Sequence, residues 1–140
     1  MNEDFVPFEL AVKLKEKGFR ELCLAYYTND DTLYYNYSHK AGASYTDCYL
    51  SHNLMPKDSV SGKFVDAPSI SQVLKWLREE KKIHIIVEIA DSGWYYTIYP
   101  NIRWENGKLK SDTYIMSFKN KDSYEQAALA GIEYVLGNLI

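Results

Sequence analysis

Several features of membrane and secreted proteins are missing from this sequence. No apolar run approaches the ~20 residues that a membrane-spanning helix needs. The opening residues, MNEDFVPFEL, are acidic and lack the apolar centre of a signal peptide. Two cysteines, Cys23 and Cys48, are too few for a disulfide framework. These absences predict a cytoplasmic protein with reduced thiols and no membrane partner.

Charge is also close to balanced, while tyrosine is abundant. The formal net charge of −3 provides no global attraction to nucleic acid or to an acidic membrane. The hydrophobic content of 46% is enough for a core, so the 140 residues (1–140) are predicted to form a single domain. Thirteen tyrosines suit half-buried strands. They suit interfaces equally well, because tyrosine combines an apolar ring with a polar hydroxyl.

The clearest pattern predicts a helix, a strand, a tight turn and a second strand over residues 70–99. A helix over Ile70–Lys82 is indicated by an apolar stripe at i, i+3, i+4 and i+7, formed by Ile70, Val73, Leu74 and Leu77. Residues 83–90 then alternate with a period of two, as in a strand. Asp91-Ser92-Gly93 is a turn signal, and residues 94–99 return as the second strand.

The N-terminal segment has the same order of predicted elements. A helix near Pro7–Lys17 precedes short strands at 22–27 and 33–37. Laid without gaps, residues 9–37 and 71–99 match element for element, which could reflect an αββ duplication or a coincidence between two amphipathic units. Residues 38–66 show no clean period and are interpreted as a loop-rich insert with a short helix near Thr46–Leu54.

The C-terminal third predicts further strands and a last helix. Trp94–Glu105 is interpreted as one strand broken at Pro100, and Asn106-Gly107 is a strong signal for a two-residue hairpin. Leu109–Phe118 would be its partner strand, followed by a helix near Ser123–Asn138. The predicted fold class is α+β, a mainly antiparallel sheet with helices on one face. The order of elements is αββ, the insert, then αβββα.

Three stretches resemble a family of short uncharacterised proteins of gut bacteria, their mobile elements and phages. They are Phe5–Ala11 with Leu14–Phe19, then Ala67–Glu80, then Tyr124–Ala127, about a fifth of the chain. The family has no assigned activity, so the resemblance implies no catalytic residue. It implies a bacterial or phage origin and a cytoplasmic setting.

No residue pattern predicts catalysis, a cofactor or a metal. Cys48 and His52, with His39 upstream, could supply part of a zinc site, but the remaining ligands of the usual four are missing. Asp30-Asp31 lacks the ligand alternation of a calcium loop. No glycine-rich phosphate loop is present. An enzyme is therefore disfavoured, although the sequence leaves the activity open.

The favoured hypothesis is a protein-interaction module that binds a protein partner or itself. Tyr95 and Tyr99 alternate with Trp94 and Tyr96, so one set must lie opposite the helices. We expect Tyr95, Tyr99 and Tyr114 to form an aromatic patch on that open face, unless the 38–66 insert covers it.

The alternative is a nucleic-acid-binding accessory protein, because αβββα is also the order of double-stranded-RNA-binding domains. Lys119 and Lys121 precede the last helix, where such domains bind phosphates, but Asp122 and Glu125 follow at once. Together with the negative net charge, these carboxylates make nucleic acid the weaker hypothesis.

Overall fold

The computed structural model describes residues 4–28, 32–35 and 65–140. In these residues the protein has an α+β fold with antiparallel strand pairing, which confirms the predicted fold class. The helices of the described residues are α1 (Phe8–Glu16), α2 (Ile70–Glu80) and α3 (Tyr124–Asn138), each within two residues of its predicted bounds. The chain divides into two compact units, Met1–Ser69 and Ile70–Ile140. A single domain over 1–140 stays a prediction.

The first unit contains α1 and a small sheet. The strands β1 (Ala25–Tyr27), β2 (Leu33–Tyr35) and β3 (Val65–Asp66) pair in the order β2-β1-β3. Helix α1 buries Leu10, Ala11 and Leu14, and it ends before Gly18, whose φ of +95° suits glycine. Residues 65–66 of the predicted 38–66 insert therefore form a strand. The rest of that insert, with its predicted short helix, lies outside the described residues.

The second unit is a three-stranded sheet with helices on one face. Its strands are β4 (His84–Ala90), β5 (Gly93–Tyr99) and β8 (Ile115–Met116), in the order β4-β5-β8. Helix α3 packs on β4 and β5, and α2 packs against α3 and β4. The predicted stripe of α2 is confirmed, since Ile70, Val73, Leu74 and Leu77 are all buried. Trp76, which lies outside that stripe, is buried as well.

Small residues let α3 approach the sheet closely. Ala127, Ala128 and Gly131 of this helix are buried. A Cβ at Gly131 would lie 3.1 Å from Ile85 Cγ2 and 3.3 Å from Tyr96 Cγ. Glycine at this position therefore brings the helix backbone onto the side chains of β4 and β5.

A separate two-stranded sheet is inserted between β5 and β8. It consists of β6 (Arg103–Glu105) and β7 (Lys108–Lys110), joined by Asn106-Gly107 as predicted. Both turn residues have positive φ, +53° and +74°, which is the conformation of a type I′ turn. We call this element the β6–β7 arm.

Two predicted strand assignments were wrong around the arm. Leu109–Phe118 is not one strand, because it contains β7, a break at 111–114, and β8, which pairs with β5 instead. The Ser111 hydroxyl donates to the carbonyls of Pro100 and Thr113, and this bonding turns the chain back towards the main sheet. Trp94–Glu105 likewise divides into β5 and β6, which lie in different sheets. A φ of +54° at Asn101 breaks the extended backbone between them.

Both αββ segments proposed as a repeat do contain a helix followed by two antiparallel strands. In the first, α1 precedes β1 and β2; in the second, α2 precedes β4 and β5. The strands of the first are three residues long and those of the second are seven. A duplication between 9–37 and 71–99 stays a prediction.

The replacement Gly107→Val should open the tip of the β6–β7 arm. A Cβ at this position would meet no atom within 4 Å, so the penalty is entirely in the backbone conformation. A left-handed residue other than glycine costs roughly 1–2 kcal/mol, and more for a β-branched side chain. Amide exchange of Glu105 and Lys108 should accelerate, while Asn106→Gly should leave it unchanged. Equal protection in Gly107→Val and the wild type would contradict the turn assignment.

Candidate interaction face

The strand β5 separates two sets of side chains. Trp94 lies edge-on to Tyr124 of α3, with 5.9 Å between ring centroids, and Tyr96 lies beneath Gly131 of the same helix. Because successive side chains of a strand point to opposite faces, Tyr95, Thr97 and Tyr99 lie on the face away from α3.

On the face away from α3, two of the three predicted tyrosines are in direct contact. The rings of Tyr99 and Tyr114 lie 6.2 Å apart, tilted by 43°, within the range of an aromatic pair. Tyr114 is 62% exposed. Met116 shares this face, because it lies opposite Thr97 in the β5–β8 register, and it is also exposed. We call Tyr95, Tyr99, Tyr114 and Met116 the tyrosine face.

Tyr95 is held by the neighbouring strand rather than by another tyrosine. Its hydroxyl donates to Glu88 Oε2 over 3.2 Å, and the two residues are opposite each other in the β4–β5 register. Partial desolvation raises the pKa of Tyr95, and the hydrogen bond and the negative charge of Glu88 raise it further. The phenol therefore stays protonated, and it presents an apolar ring with a fixed polar end.

His84 adjoins this face at the beginning of β4, opposite Tyr99 in the register. Its Nδ1 is buried and has no hydrogen-bond partner in the described part of the chain. Burial lowers the pKa of His84, and the positive charge of Arg78 lowers it further. The imidazole is therefore neutral at pH 7 and acts as part of the packed face.

Acid should destabilise the protein through His84. An unfolded histidine titrates at about pH 6.5, and the pKa of folded His84 lies lower, so protonation favours the unfolded chain. The contribution of the neutral imidazole to the free energy of unfolding is complete above the pKa of the unfolded state. It is lost as the pH falls towards and through the lower pKa of the folded state. Urea unfolding between pH 7.5 and 5 should show this loss for the wild type and a smaller one for His84→Gln. Parallel pH profiles for the two proteins would refute the assignment.

A second apolar pair is exposed on the β6–β7 arm. Trp104 is 76% exposed, and it lies directly opposite Leu109, which is also exposed. The other face of the arm carries ion pairs, since Glu105 contacts both Arg103 and Lys110. Sequence reasoning did not single out this pair. Alternation on either side of Asn106-Gly107 could have indicated it, because it puts the two apolar residues on one face.

The described residues contain no cluster of three His, Cys, Asp or Glu side chains that could hold a metal ion. Cys23 is buried, and burial together with the negative charges of Asp66 and Glu21 raises its pKa, so its thiol is a poor nucleophile. His39, Cys48 and His52, like Asp30 and Asp31, lie outside the described residues.

Comparison of the chain with protein-family models, with curated proteins and with solved structures finds no match. Among the helices in the described residues, none combines the length and apolar character needed to cross a membrane.

Proposed function

We propose that this protein is a non-enzymatic interaction module whose tyrosine face binds a protein partner. The observation that carries the proposal is the contact between half-buried Tyr99 and exposed Tyr114 on the sheet face away from α3. Tyrosine loses little conformational entropy on binding, because it has only two side-chain torsions, and it buries a large ring. Aromatic residues of this kind dominate the binding energy of many interfaces.

Further apolar side chains are exposed along β8 and just beyond it. Met116 is exposed opposite Thr97, a polar residue of the same face that is buried. Phe118, just beyond β8, is 97% exposed, and large exposed apolar side chains that cluster mark contact surfaces. The resemblance to proteins of gut bacteria, mobile elements and phages supports an accessory role in such an organism.

The double replacement of Tyr95 and Tyr99 by alanine tests the proposal. Binding to a protein partner should weaken by at least about tenfold, as expected when central aromatic anchors are removed. The melting temperature should stay nearly unchanged, because these side chains lie outside the helix-facing core. Partners retained from a bacterial lysate by the immobilised wild type can be quantified against the double variant. Unfolding of the double variant would mean that the tyrosines are core residues, and the proposal would fail.

A matched control uses the opposite face of the same strand. Tyr96 lies beneath α3, so Tyr96→Ala should lower the melting temperature through lost core packing. Trp104→Ala removes a comparably large aromatic side chain from the β6–β7 arm, which belongs to a different sheet. Loss of binding in Trp104→Ala, with full binding in the Tyr95/Tyr99 double variant, would indicate that the binding site is on the β6–β7 arm.

Nucleic-acid binding is retained as a second candidate because of the arrangement of the second unit. Helix α2, the sheet β4-β5-β8 and α3 reproduce the αβββα order, with the β6–β7 arm inserted between β5 and β8. Lys119 is exposed before α3, but Asp122 is exposed as well. Double-stranded RNA should shift in a mobility assay, and the shift should fade with salt and in Lys119→Ala. No shift at micromolar protein would exclude this candidate.

A further inference from the structure

We propose that two copies of this chain pair antiparallel through the outer edge of β4. The occupant of this edge is thus a second copy of the same strand. The inference concerns a different surface from the tyrosine face, so either proposal can fail without the other.

The β4–β5 hairpin determines which backbone groups point outwards. Its turn consists of Asp91 and Ser92, so the flanking pair Ala90–Gly93 is hydrogen-bonded, as in other two-residue hairpins. Alternation then directs the backbone N–H and C=O of Ile85, Val87 and Ile89 away from β5.

Hydrogen bonds on the other side of the hairpin support this assignment of the outward-pointing backbone groups. Trp94, opposite Ile89, exchanges backbone hydrogen bonds with Lys121 on the side away from β4. Tyr96, opposite Val87, accepts from the Ser117 N–H and donates to the Ser117 hydroxyl, again away from β4. Within the described ranges, no strand pairs with the outer edge of β4. An unpaired row of this kind is a template for strand addition.

The sequence of β4 lacks the residues that usually block such pairing. The strand HIIVEIA contains no proline, glycine or lysine. Its one carboxylate, Glu88, accepts from the Tyr95 hydroxyl and is therefore held towards β5, on the inner side of the hairpin. Ile89 is 67% exposed at the end of the strand. The edge is therefore long, uninterrupted and largely apolar.

One pairing register with two-fold symmetry is consistent with this edge. When Val87 lies opposite Val87 of the second copy, Ile85 of each copy lies opposite Ile89 of the other, and the backbone groups of both residues point outwards. Each exposed Ile89 then gains an apolar neighbour, and each Glu88 lies opposite Ile86 rather than opposite another carboxylate. Each copy has a net charge of −3, so the two copies repel each other. This register does not add to that repulsion, because it places no two carboxylates opposite each other across the paired β4 strands.

This pairing would also extend the surface available to a partner. Three strands from each copy would join into one antiparallel sheet. The two-fold axis of such a pair runs perpendicular to the sheet, so both sets of helices lie on one side. Both tyrosine faces would therefore lie on the other side.

Light scattering during gel filtration tests the pairing. We expect the wild type to reach twice its monomer mass of 16.3 kDa as its concentration is raised to roughly 1 mM. The replacement Val87→Pro removes an outward N–H and no bond to β5, so it should weaken dimerisation by at least about tenfold. Ile89→Lys adds a charge to an exposed edge position and should have the same effect without unfolding the chain. Ile89→Val is the matched control that keeps the edge apolar.

Crosslinking tests the register. In a Cys48→Ser background, Val87→Cys should form an intermolecular disulfide, because opposed Cα atoms about 5.5 Å apart suit one. Lys108→Cys, exposed on the β6–β7 arm, should crosslink far more slowly.

Three results would overturn the proposal. One is a wild type that stays monomeric at every concentration. Another is a dimer that persists in the folded Ile89→Lys variant. The third is equal crosslinking at the two cysteine positions. Loss of the dimer in the Tyr95/Tyr99 alanine variant, with Ile89→Lys still dimeric, would place self-association on the tyrosine face instead.

Discussion

Replacing Leu77 by alanine should lower the free energy of unfolding by about 2–5 kcal/mol. The Leu77 side chain on α2 is fully buried. The backbone carbonyl of Leu77 accepts hydrogen bonds from the N–H groups of Lys81 and Ile83 at the end of the helix. Truncation removes the transfer free energy of the lost methyl groups and leaves a cavity that the packed surroundings fill only in part.

Denaturation followed by tryptophan fluorescence measures this effect within the second unit. All three tryptophans, Trp76, Trp94 and Trp104, belong to that unit. Lys75→Ala on the same helix is the control, since Lys75 is exposed and alanine is a good helix former. A loss below about 0.5 kcal/mol for Leu77→Ala would show that the buried face of α2 has been misassigned.

Replacing Gly93 by alanine should have a comparable effect, with a loss of about 2–5 kcal/mol. A Cβ at this position would lie 2.6 Å from the Lys121 carbonyl oxygen, a backbone atom that cannot rotate away. The residue also has a φ of +133°, which side chains other than glycine rarely adopt. Relief of the clash would disturb the adjacent bridge, in which Trp94 and Lys121 exchange two backbone hydrogen bonds.

The same substitution elsewhere in the chain provides the control. Gly137 lies near the end of α3, and a Cβ there would meet no atom within 4 Å. Gly137→Ala should therefore be neutral or stabilising by up to about 1 kcal/mol, because alanine is the better helix former. A loss of unfolding free energy in Gly93→Ala, with a gain in Gly137→Ala, would support the close approach of the Lys121 carbonyl to Gly93. Equal and small changes in the two variants would contradict it.

Local chemistry explains which predictions succeeded. The stripe of α2 is a pattern of period 3.6, and the conformation at Asn106-Gly107 depends on residues that tolerate positive φ. Both features involve neighbours in the sequence, so both could be predicted from it. The break between β7 and β8 depends instead on the Ser111 hydroxyl and the distant Pro100 carbonyl. Such a partner is invisible in a local pattern, so residues 109–118 were predicted as one strand.

Burial of Trp76 and the need for glycine at position 93 show the same limit. Trp76 lies outside the predicted stripe and is nevertheless buried, so a periodic stripe alone underestimates the buried surface of α2. Gly93 was predicted as a turn residue because of its freedom in φ. Its closest constraint is the carbonyl of Lys121, which is remote in sequence and adjacent in space.

The sequence by itself determined that Tyr95 and Tyr99 share one face of a strand, because side chains of a strand alternate with a period of two. It could not determine which face the helices cover, since both faces of β5 are rich in large side chains. Tertiary structure decided this: Gly131 lets α3 approach Tyr96 closely, while Trp94 packs against Tyr124. The tyrosine face lies away from α3, because the small residues of this helix fit against the other side of the sheet.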